Sequence, residues 1–148
     1  MKTAVLSDTH NLLRPEVIEI IKDCDAVIHG GDICSLKTLE NIKAVMNPGA
    51  PLFAVRGNCD GNLGEELPLK LEFELWGVRF FLVHNKKDIP RDVSIDIVIF
   101  GHSHKYYEEI KDNRLWLNPG SCGRRRFSLP VTMAVLNIED GKFSAEKI

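Results

Sequence analysis

Short apolar runs alternate with segments of helical periodicity through the first third of the chain, and this alternation restricts the fold more than any other feature. The apolar runs are Lys2–Ser7, Asp25–His29 and Leu52–Val55. Apolar residues recur at helical spacing after Pro15, which suits a first helical turn, and after Ser35, a good helix N-cap. This order implies parallel strands joined by right-handed crossovers, whose carboxyl ends meet at one edge of a sheet.

The rest of the chain has mostly the pattern of a β-meander. Leu69–Leu75 alternates apolar and charged residues, as a half-exposed antiparallel strand does. Residues 85–94 are polar and fit either a loop or one short helix. Further strands are predicted at Val78–Val83, Ile95–Phe100, Tyr106–Ile110, Leu115–Leu117, Thr132–Glu139 and Lys142–Lys147, with hairpin turns at Asp112–Asn113 and Asp140–Gly141. We therefore expect an α/β fold in which two mixed β-sheets pack face to face, flanked by helices.

The length of the chain and its net charge limit the number of domains and the kinds of partner to expect. The 148 residues favour one domain spanning residues 1–148. The formal net charge of −2 gives no electrostatic reason to expect binding to long nucleic acid or to a membrane. The first apolar run is too short for a signal-peptide core, and no stretch approaches the length of a membrane span. We expect a cytoplasmic protein and leave open whether it forms a homo-oligomer.

The four cysteines are Cys24, Cys34, Cys59 and Cys122, and no two of them form a Cys-x-x-Cys pair. That spacing excludes a zinc ribbon and a thioredoxin motif. In a chain without a secretory signal we expect reduced thiols that mostly fill the core.

The segment Gly101-His102-Ser103-His104 follows a solid apolar run, where a buried strand should end. Strand side chains repeat with period two, so on an extended chain His102 and His104 point the same way, with Cα atoms roughly 6–7 Å apart. Two imidazoles that converge at a strand end are a typical beginning of a metal site.

Five predicted strand ends carry residues that can bind a metal. Each alone has a plainer explanation, such as a helix cap, a turn residue or a structural histidine, but their joint order and placement exclude coincidence. In open α/β folds ligands bind outside the carboxyl ends of the strands. Seven nitrogen and oxygen donors suit two ions about 3.5–4 Å apart that share a bridging carboxylate. The donors, in chain order, are Asp8, His10, Asp32, Asn58, His84, His102 and His104.

This set resembles the blocks of the calcineurin-like metallophosphoesterase superfamily, which are Asp-x-His, Gly-Asp, Gly-Asn-His-Asp/Glu, a histidine after a strand, and Gly-His-Thr-His. Here the blocks are Asp8-Thr9-His10, Gly31-Asp32, Gly57-Asn58-Cys59-Asp60, His84 and Gly101-His102-Ser103-His104. Asn118-Pro119-Gly120-Ser121 is also similar to a block of the small, single-domain YfcE-like phosphodiesterases of this family. The resemblance covers nearly the whole chain and implies an αββα metallophosphoesterase-like sandwich.

The resemblance implies two divalent ions. One is held by Asp8, His10, Asp32 and His104. The other is held by Asp32, Asn58, His84 and His102, so that Asp32 bridges them. Mixed imidazole and carboxylate donors favour Mn²⁺ or Ni²⁺, with Fe, Zn²⁺ or Co²⁺ as further candidates, over Ca²⁺ or Mg²⁺.

The implied activity is hydrolysis of small phosphoesters, with diesters favoured over monoesters, by a hydroxide that bridges the two metals. Asp8, Asp32, Asn58 and His102 then act in catalysis through that metal-bound hydroxide. An alternative is a non-catalytic protein-interaction scaffold of the same fold, like a retromer subunit with eroded metal ligands, but this chain keeps all seven. A nuclease for nucleic-acid ends is a third candidate, which the absence of a basic excess disfavours.

Two residues depart from the family pattern. Cys59 stands where histidine is usual, and a thiol, with a reference pKa of about 8.5, is a poorer proton donor to a leaving group. This favours esters with good leaving groups or a donor from elsewhere, although the small family members often carry Gly-Asn-Cys-Asp too. Asn85 follows His84 where glycine is usual, which changes the loop. Asp60 either orients a ligand or forms a turn.

Three further features have two explanations each. His29 precedes Gly30-Gly31-Asp32 and, as a strand residue, should point away from the site, so we predict a structural role. Arg124-Arg125-Arg126 forms either a solvated loop or a contact with the substrate phosphate. Arg56, just before Gly57, has a weaker claim of the same kind.

Overall fold

The computed structural model describes residues 1–63, 67–89, 94–125 and 129–148. Within these residues the strands are β1 (Lys2–Leu6), β2 (Ala26–His29), β3 (Leu52–Ala54), β4 (Lys70–Leu75), β5 (Val78–Val83), β6 (Ile97–Ile99), β7 (Tyr106–Lys111), β8 (Arg114–Pro119), β9 (Ala134–Glu139) and β10 (Lys142–Lys147). The helices are α1 (Pro15–Lys22) and α2 (Leu36–Val45). Each predicted strand is present, and its ends lie within two residues of the prediction.

Both helices cover the outer face of the first sheet. Helix α1 begins at Pro15 as predicted, and α2 begins after Ser35, whose side chain accepts a hydrogen bond from the Thr38 backbone N–H at 3.2 Å. Val17 and Ile42 pack in one cluster with residues of β1 and β2. None of the helices in the described ranges has the length and apolar character needed to cross a membrane.

The first sheet has the strand order β10-β9-β1-β2-β3, with β1, β2 and β3 parallel as predicted. The second sheet has the order β4-β5-β6-β8-β7. Val5 and Ile28 of the first sheet pack against Phe80, Leu82 and Ile99 of the second in the main core. This confirms the predicted α/β sandwich of two mixed sheets.

The centre of the second sheet differs from the predicted meander. Strand β5 pairs with β6 in parallel, and β6 pairs with β8 in parallel. The connection between β5 and β6 is long enough for a crossover and contains a 3₁₀ turn at Lys86–Asp88; the rest of the 85–94 prediction lies partly outside the described residues. Parallel pairing brings the carboxyl ends of β5 and β6 to the same edge. An antiparallel pair would have separated the residues that follow these strands.

Candidate metal centre

The polar residues predicted at the strand ends lie together at one edge of the sandwich. Asp8 follows β1, Asp32 follows β2 and Asn58 follows β3. His84 directly follows β5, and the Gly101–His104 segment follows β6. All five supporting strands are mutually parallel within their own sheets, which explains why residues so distant in sequence can share one site.

The site loops adopt an unusual backbone conformation. Five of the predicted donors have a left-handed φ, between 46° and 76°: His10, Asp8, Asp32, His104 and His102. Residues other than glycine rarely adopt this region, and such strain collects at functional sites. Backbone hydrogen bonds between neighbouring loops hold it, for example from Asp8 N–H to the Gly31 carbonyl at 2.9 Å.

The extended conformation predicted for His102 and His104 is wrong. Strand β6 ends at Ile99, so both histidines lie in a turn. The His104 ring stacks on His10 with 5.1 Å between ring centroids, whereas the His102 ring meets the edge of His84 at 5.2 Å. The two histidines therefore belong to different halves of the site.

Four residues form a compact group, which we call the inner cluster: Asp8, His10, Asp32 and His104. Each offers one ligand atom, and these atoms all lie within 4.8 Å of one another. Oδ1 of Asp8 is 3.5 Å from His104 Nε2 and 3.8 Å from His10 Nε2. The other Asp8 oxygen, Oδ2, accepts a hydrogen bond from the Ser7 hydroxyl at 2.8 Å, which fixes the carboxylate plane.

Asp32 lies between the inner cluster and His84. Its Oδ2 is 3.5 Å from His10 Nε2 and 3.3 Å from His84 Nε2, while its Oδ1 accepts the Cys59 backbone N–H at 2.9 Å. Burial alone would raise the pKa of Asp32, but His84, the Cys59 amide and His10 together hold that pKa well below its usual value. Asp32 is therefore an ionised carboxylate that lies within reach of both His10 and His84.

The remaining donors, Asn58, His84 and His102, form what we call the outer group. The Nδ1–H of His84 donates to the Gly30 carbonyl at 2.7 Å, so in the neutral ring Nε2 is bare and faces the carboxylates. Asn58 Nδ2 lies 3.3 Å from His102 Nδ1. Burial lowers the pKa of His84, but Asp32 and Asp8 outweigh burial and raise it. His84 is buried, whereas Asn58 and His102 are exposed.

The donors fit a cation. Asp8 Oδ1, His10 Nε2 and His84 Nε2 are buried, converge on one space and have no hydrogen-bond partner. Leaving a buried polar group unsatisfied costs about 1–3 kcal/mol, so the convergence of three such atoms favours a bound ligand. Imidazole mixed with carboxylate suits a borderline divalent ion. The arrangement is that of a metal-binding site.

The predicted Gly-Asn block has a steric reason. A Cβ atom on Gly57 would collide with both the carboxylate and the backbone nitrogen of Asp32. Only glycine lets the loop after β3 approach the loop after β2 this closely.

Asp60 holds these two loops together. It is fully buried, its Oδ2 accepts the backbone N–H groups of Asp32 and Gly57, both at 2.8 Å, and its Oδ1 accepts that of Cys34 at 2.7 Å. Of the two roles considered for Asp60, this geometry favours the positioning of a ligand, since the Asp32 backbone is one of its partners.

The expectation of reduced thiols is wrong for two of the four cysteines. Cys34 and Cys59 form a disulfide, whereas Cys24 and Cys122 are free and buried as predicted. No local spacing signals the bond, because the two cysteines are 25 residues apart and meet only through the convergence of β2 and β3. A disulfide-bonded Cys59 has no thiol proton, so its predicted role as a donor to the leaving group is wrong for this form of the protein.

His29 supports the site from beneath. It is fully buried, its Nδ1 accepts the Gly31 backbone N–H at 3.0 Å, and its Nε2 lies 3.1 Å from the Thr9 hydroxyl. Burial lowers the pKa of His29 to about 4, so the ring is neutral near pH 7. These contacts agree with the structural role predicted for it.

Two supporting residues come from the Asn118–Ser121 block, which resembles a family block but had no predicted role. The Ser121 hydroxyl donates to the Asp8 carbonyl at 2.9 Å. The Asn118 side-chain amide donates to the Gly101 carbonyl at 3.1 Å and lies 3.0 Å from the Ser103 hydroxyl. The block therefore ties the loops after β1 and β6 to strand β8.

Two clefts flank the outer group. One, of about 580 Å³, is lined by Arg56 together with Asn58 and His84. The other, of about 530 Å³, adjoins His102 and contains four lysines and three aromatic residues: Lys86, Lys87, Lys105, Lys111, Phe100, Tyr107 and Trp116.

The arginine run gives a mixed result. Arg124 is exposed, Arg125 Nε donates to the Leu129 carbonyl at 3.3 Å, and Arg126 lies outside the described residues. Neither Arg124 nor Arg125 lines either of the two clefts just described, so the contact of this run with phosphate stays a prediction.

Comparison with known proteins agrees with the geometry. Residues 1–141 match the calcineurin-like phosphoesterase superfamily domain. A phosphodiesterase of Methanocaldococcus jannaschii is 32% identical, over 97% of this chain and 96% of its own. The chain belongs to the calcineurin-like phosphoesterase superfamily and is thus a phosphoester hydrolase by class; members of this family use divalent metal ions.

Solved structures share the fold. A structure described as a novel archaeal phosphodiesterase has a TM-score of 0.76 and 28% identity, with all of both chains covered. YfcE, a phosphoesterase from Escherichia coli, has a TM-score of 0.74 and 24% identity over 93% of this chain and 88% of its own. A single mutant of Vps29 from Entamoeba histolytica has a TM-score of 0.77 and 20% identity over 100% of this chain and 98% of its own. At such identities YfcE and Vps29 show the fold alone.

Proposed function

We propose that this protein is a metal-dependent phosphodiesterase that hydrolyses small phosphoesters at a binuclear centre. The observation that carries the proposal is the convergence of three unpartnered buried donor atoms, Asp8 Oδ1, His10 Nε2 and His84 Nε2, beside the ionised Asp32. Membership of the superfamily supports it. The M. jannaschii relative is named a phosphodiesterase, and we extend that preference for diesters to this chain.

The inner cluster would hold one ion, and Asn58, His84 and His102 would hold the second. Asp32 is suited to serve both, because its Oδ2 lies between His10 and His84. Mn²⁺ or Ni²⁺ fits the donors best. When bound, the two ions supply Lewis acidity and a bridging hydroxide for in-line attack on phosphorus.

The chain's own groups prepare that chemistry. Ser7 and the His102 backbone N–H, which donates to Asp8 Oδ2 at 3.2 Å, orient the Asp8 carboxylate. The Gly30 carbonyl keeps the Nδ1 proton of His84 in place, so that Nε2 remains a lone-pair donor. These contacts preorganise donors that would otherwise have to be ordered on metal binding.

The substrate would enter beside the outer group. Lys86 and Lys105 line the cleft next to His102 and can balance charge on phosphate oxygens, while Trp116 and Tyr107 offer an apolar wall for an ester substituent. With Cys59 in a disulfide, no thiol at that position can protonate a leaving group. We therefore expect the fastest turnover for diesters with good leaving groups, such as aryl esters.

Hydrolysis of bis-p-nitrophenyl phosphate and p-nitrophenyl phosphate, measured with Mn²⁺, Ni²⁺, Co²⁺ and Zn²⁺ in turn, tests the proposal. The metal-loaded wild type should hydrolyse the diester faster than the monoester, and Asp32→Ala should lose both activities. If the wild type is no faster than Asp32→Ala on any phosphoester, the proposal fails and the scaffold alternative, which the likeness to the Vps29 fold keeps in view, takes its place.

A further inference from the structure

The two ring nitrogens of His10 lie near different groups. Its Nε2 faces the carboxylates of Asp8 and Asp32. Its Nδ1 faces two sulfur atoms, at 3.5 Å from Cys34 Sγ and 3.8 Å from Cys59 Sγ. The three atoms form a compact triangle beside the inner cluster, with which it shares His10, and the two sulfurs have no part in the proposed hydrolysis.

We propose that reduction of the Cys34–Cys59 disulfide opens a further metal site, formed by the two cysteine sulfurs and His10 Nδ1, for a thiophilic divalent cation such as Zn²⁺, and that this site shares the His10 ring with the inner cluster. In the reduction a dithiol of the thioredoxin class gives two electrons and two protons, so that the S–S bond breaks, the dithiol becomes a disulfide and two cysteine thiols form. Cation binding at Nδ1 then displaces the two thiol protons and leaves the proton of the neutral His10 ring on Nε2, so an ion at this site and an ion held through His10 Nε2 exclude each other.

The distances suit tetrahedral zinc. With Zn–S bonds of about 2.3 Å and Zn–N bonds of about 2.0–2.1 Å, tetrahedral ligands lie roughly 3.6 Å apart for nitrogen and sulfur and roughly 3.8 Å apart for two sulfurs. Both nitrogen–sulfur distances to His10 already have this length. Reduction needs only to release the sulfurs from each other to ordinary non-bonded separation. Three protein donors plus water complete the coordination of an open zinc site.

The backbone around the cysteines does not depend on the disulfide. The Cys34 N–H donates to Asp60 Oδ1 at 2.7 Å, and the Cys59 N–H donates to Asp32 Oδ1 at 2.9 Å. Both acceptors are buried carboxylates, and hydrogen bonds to charged groups contribute about 1.5–3 kcal/mol each. The two loops should therefore hold the cysteines in place after the S–S bond is broken.

Access and charge also favour this site over the other thiols. His10, Cys34 and Cys59 are half-buried, so a reductant and a cation can reach them, and Asp60 Oδ1 lies 3.8 Å from Cys59 Sγ. Cys24 and Cys122 are only 2% and 1% exposed, and burial raises the pKa of these thiols to about 11 and about 12. Those two cysteines are natural controls.

Absorption spectroscopy with Co²⁺ as the probe tests the site without any assay of activity. Reduced wild type, freed of reductant under anaerobic conditions, should bind Co²⁺ with an intense near-ultraviolet sulfur-to-cobalt charge-transfer band whose intensity at saturation corresponds to one sulfur-bound Co²⁺ per chain. The Cys24→Ser/Cys122→Ser variant should give the same band. Air-oxidised wild type and the Cys34→Ser/Cys59→Ser variant should give none, and His10→Ala should weaken Co²⁺ binding at this band at least tenfold.

The inference is overturned if reduced wild type shows no such band while a thiol count confirms two new thiols. It is equally overturned if the band survives in Cys34→Ser/Cys59→Ser or is unchanged in His10→Ala. Oxidised wild type, which keeps the native fold, serves as the control if the double variant unfolds.

Discussion

The inner cluster and the outer group differ in how firmly the fold holds them. In the inner cluster Asp8 is fully buried, and Asp32 and His104 are each 4% exposed. In the outer group only His84 is buried. The inner cluster is therefore built before any ion arrives, whereas the outer group is completed at the solvent boundary, where a phosphoester must enter.

The difference follows from topology. Three of the four inner residues follow β1 and β2, neighbouring parallel strands whose loops exchange backbone hydrogen bonds, such as His10 N–H to the Asp32 carbonyl at 2.9 Å. The outer group combines the ends of β3, β5 and β6, which lie in two sheets. Preorganised donors lose less conformational entropy on binding, so we expect the inner cluster to bind its ion more tightly.

The largest effect should come from Asp32→Asn, because the Asp32 carboxylate lies closer than that of Asp8 to both His10 and His84, at 3.5 Å and 3.3 Å. The loss of the shared charge should lower kcat/KM for bis-p-nitrophenyl phosphate by about a thousandfold, which corresponds to about 4 kcal/mol of transition-state stabilisation. The metal content per chain, measured by atomic emission, should fall, because both the inner cluster and the outer group lose the charge of Asp32. Asp140→Asn, at an exposed hairpin turn, is the matched control and should change neither quantity.

The paired variants His104→Ala and His102→Ala should affect metal binding at the inner cluster and at the outer group separately. His104→Ala removes a donor that stacks on His10, so the tightly bound ion should be lost. His102→Ala should leave that ion in place and weaken only the second, because its ring contacts His84 and Asn58. Calorimetric titration with Mn²⁺ measures both affinities. An identical loss in the two variants would contradict the division.

A smaller effect is expected from Asp60→Asn, which weakens three backbone contacts without touching a donor side chain. The inner cluster should lose about 10–100-fold in metal affinity, as is usual when a group that orients a ligand is removed. The free energy of unfolding, from urea denaturation, should fall by about 1.5–3 kcal/mol. Unchanged Mn²⁺ affinity would show that Asp60 only shapes a turn.

The last effect occurs only in acid and should act through His29, which lies next to the loops of the inner cluster. His29 has an ordinary pKa near 6.5 when unfolded and about 4 when folded, so between these values the unfolded chain binds more protons. Stability is complete above pH about 6.5 and is lost as the pH falls toward 4, by up to about 3 kcal/mol. The proton would break the Gly31 N–H bond to His29 Nδ1 beneath Asp32.

Urea denaturation of chelator-treated protein between pH 4 and pH 7 measures this loss. His29→Gln keeps a donor for Thr9 but cannot titrate, so its stability should fall less over the same range. Parallel pH profiles for the two proteins would rule out His29 as the cause.

Much of the fold and of the donor set was predictable, because both depend on where buried runs end. A run such as Ile97–Ile99 must be a covered strand, and polar residues after parallel strands must gather at one edge. The local backbone conformation of the site could be predicted less well from the sequence. His102 and His104 have a left-handed φ, and their turn is held by partners remote in sequence: the His102 N–H donates to Asp8 Oδ2, and the Asn118 amide donates to the Gly101 carbonyl.

Two further errors have a common origin. The parallel pairing of β5 with β6 and the Cys34–Cys59 bond are tertiary facts with no local signature. A signal for the second existed, since Cys34 follows Asp32 by two residues and Cys59 directly follows Asn58, and these strand ends were expected to meet. Using the predicted sheet edge to test cysteine pairs would have found it.

Anomalous diffraction from Mn²⁺-soaked crystals, recorded near the manganese absorption edge, tests the central proposal most directly. The account predicts two anomalous peaks about 3.5–4 Å apart, with Asp32 Oδ2 between them. One peak should lie among the inner cluster, with the higher occupancy at limiting Mn²⁺, and the other beside Asn58, His84 and His102. A single peak that Asp32 does not contact, or two peaks of which the outer one fills first, would contradict it.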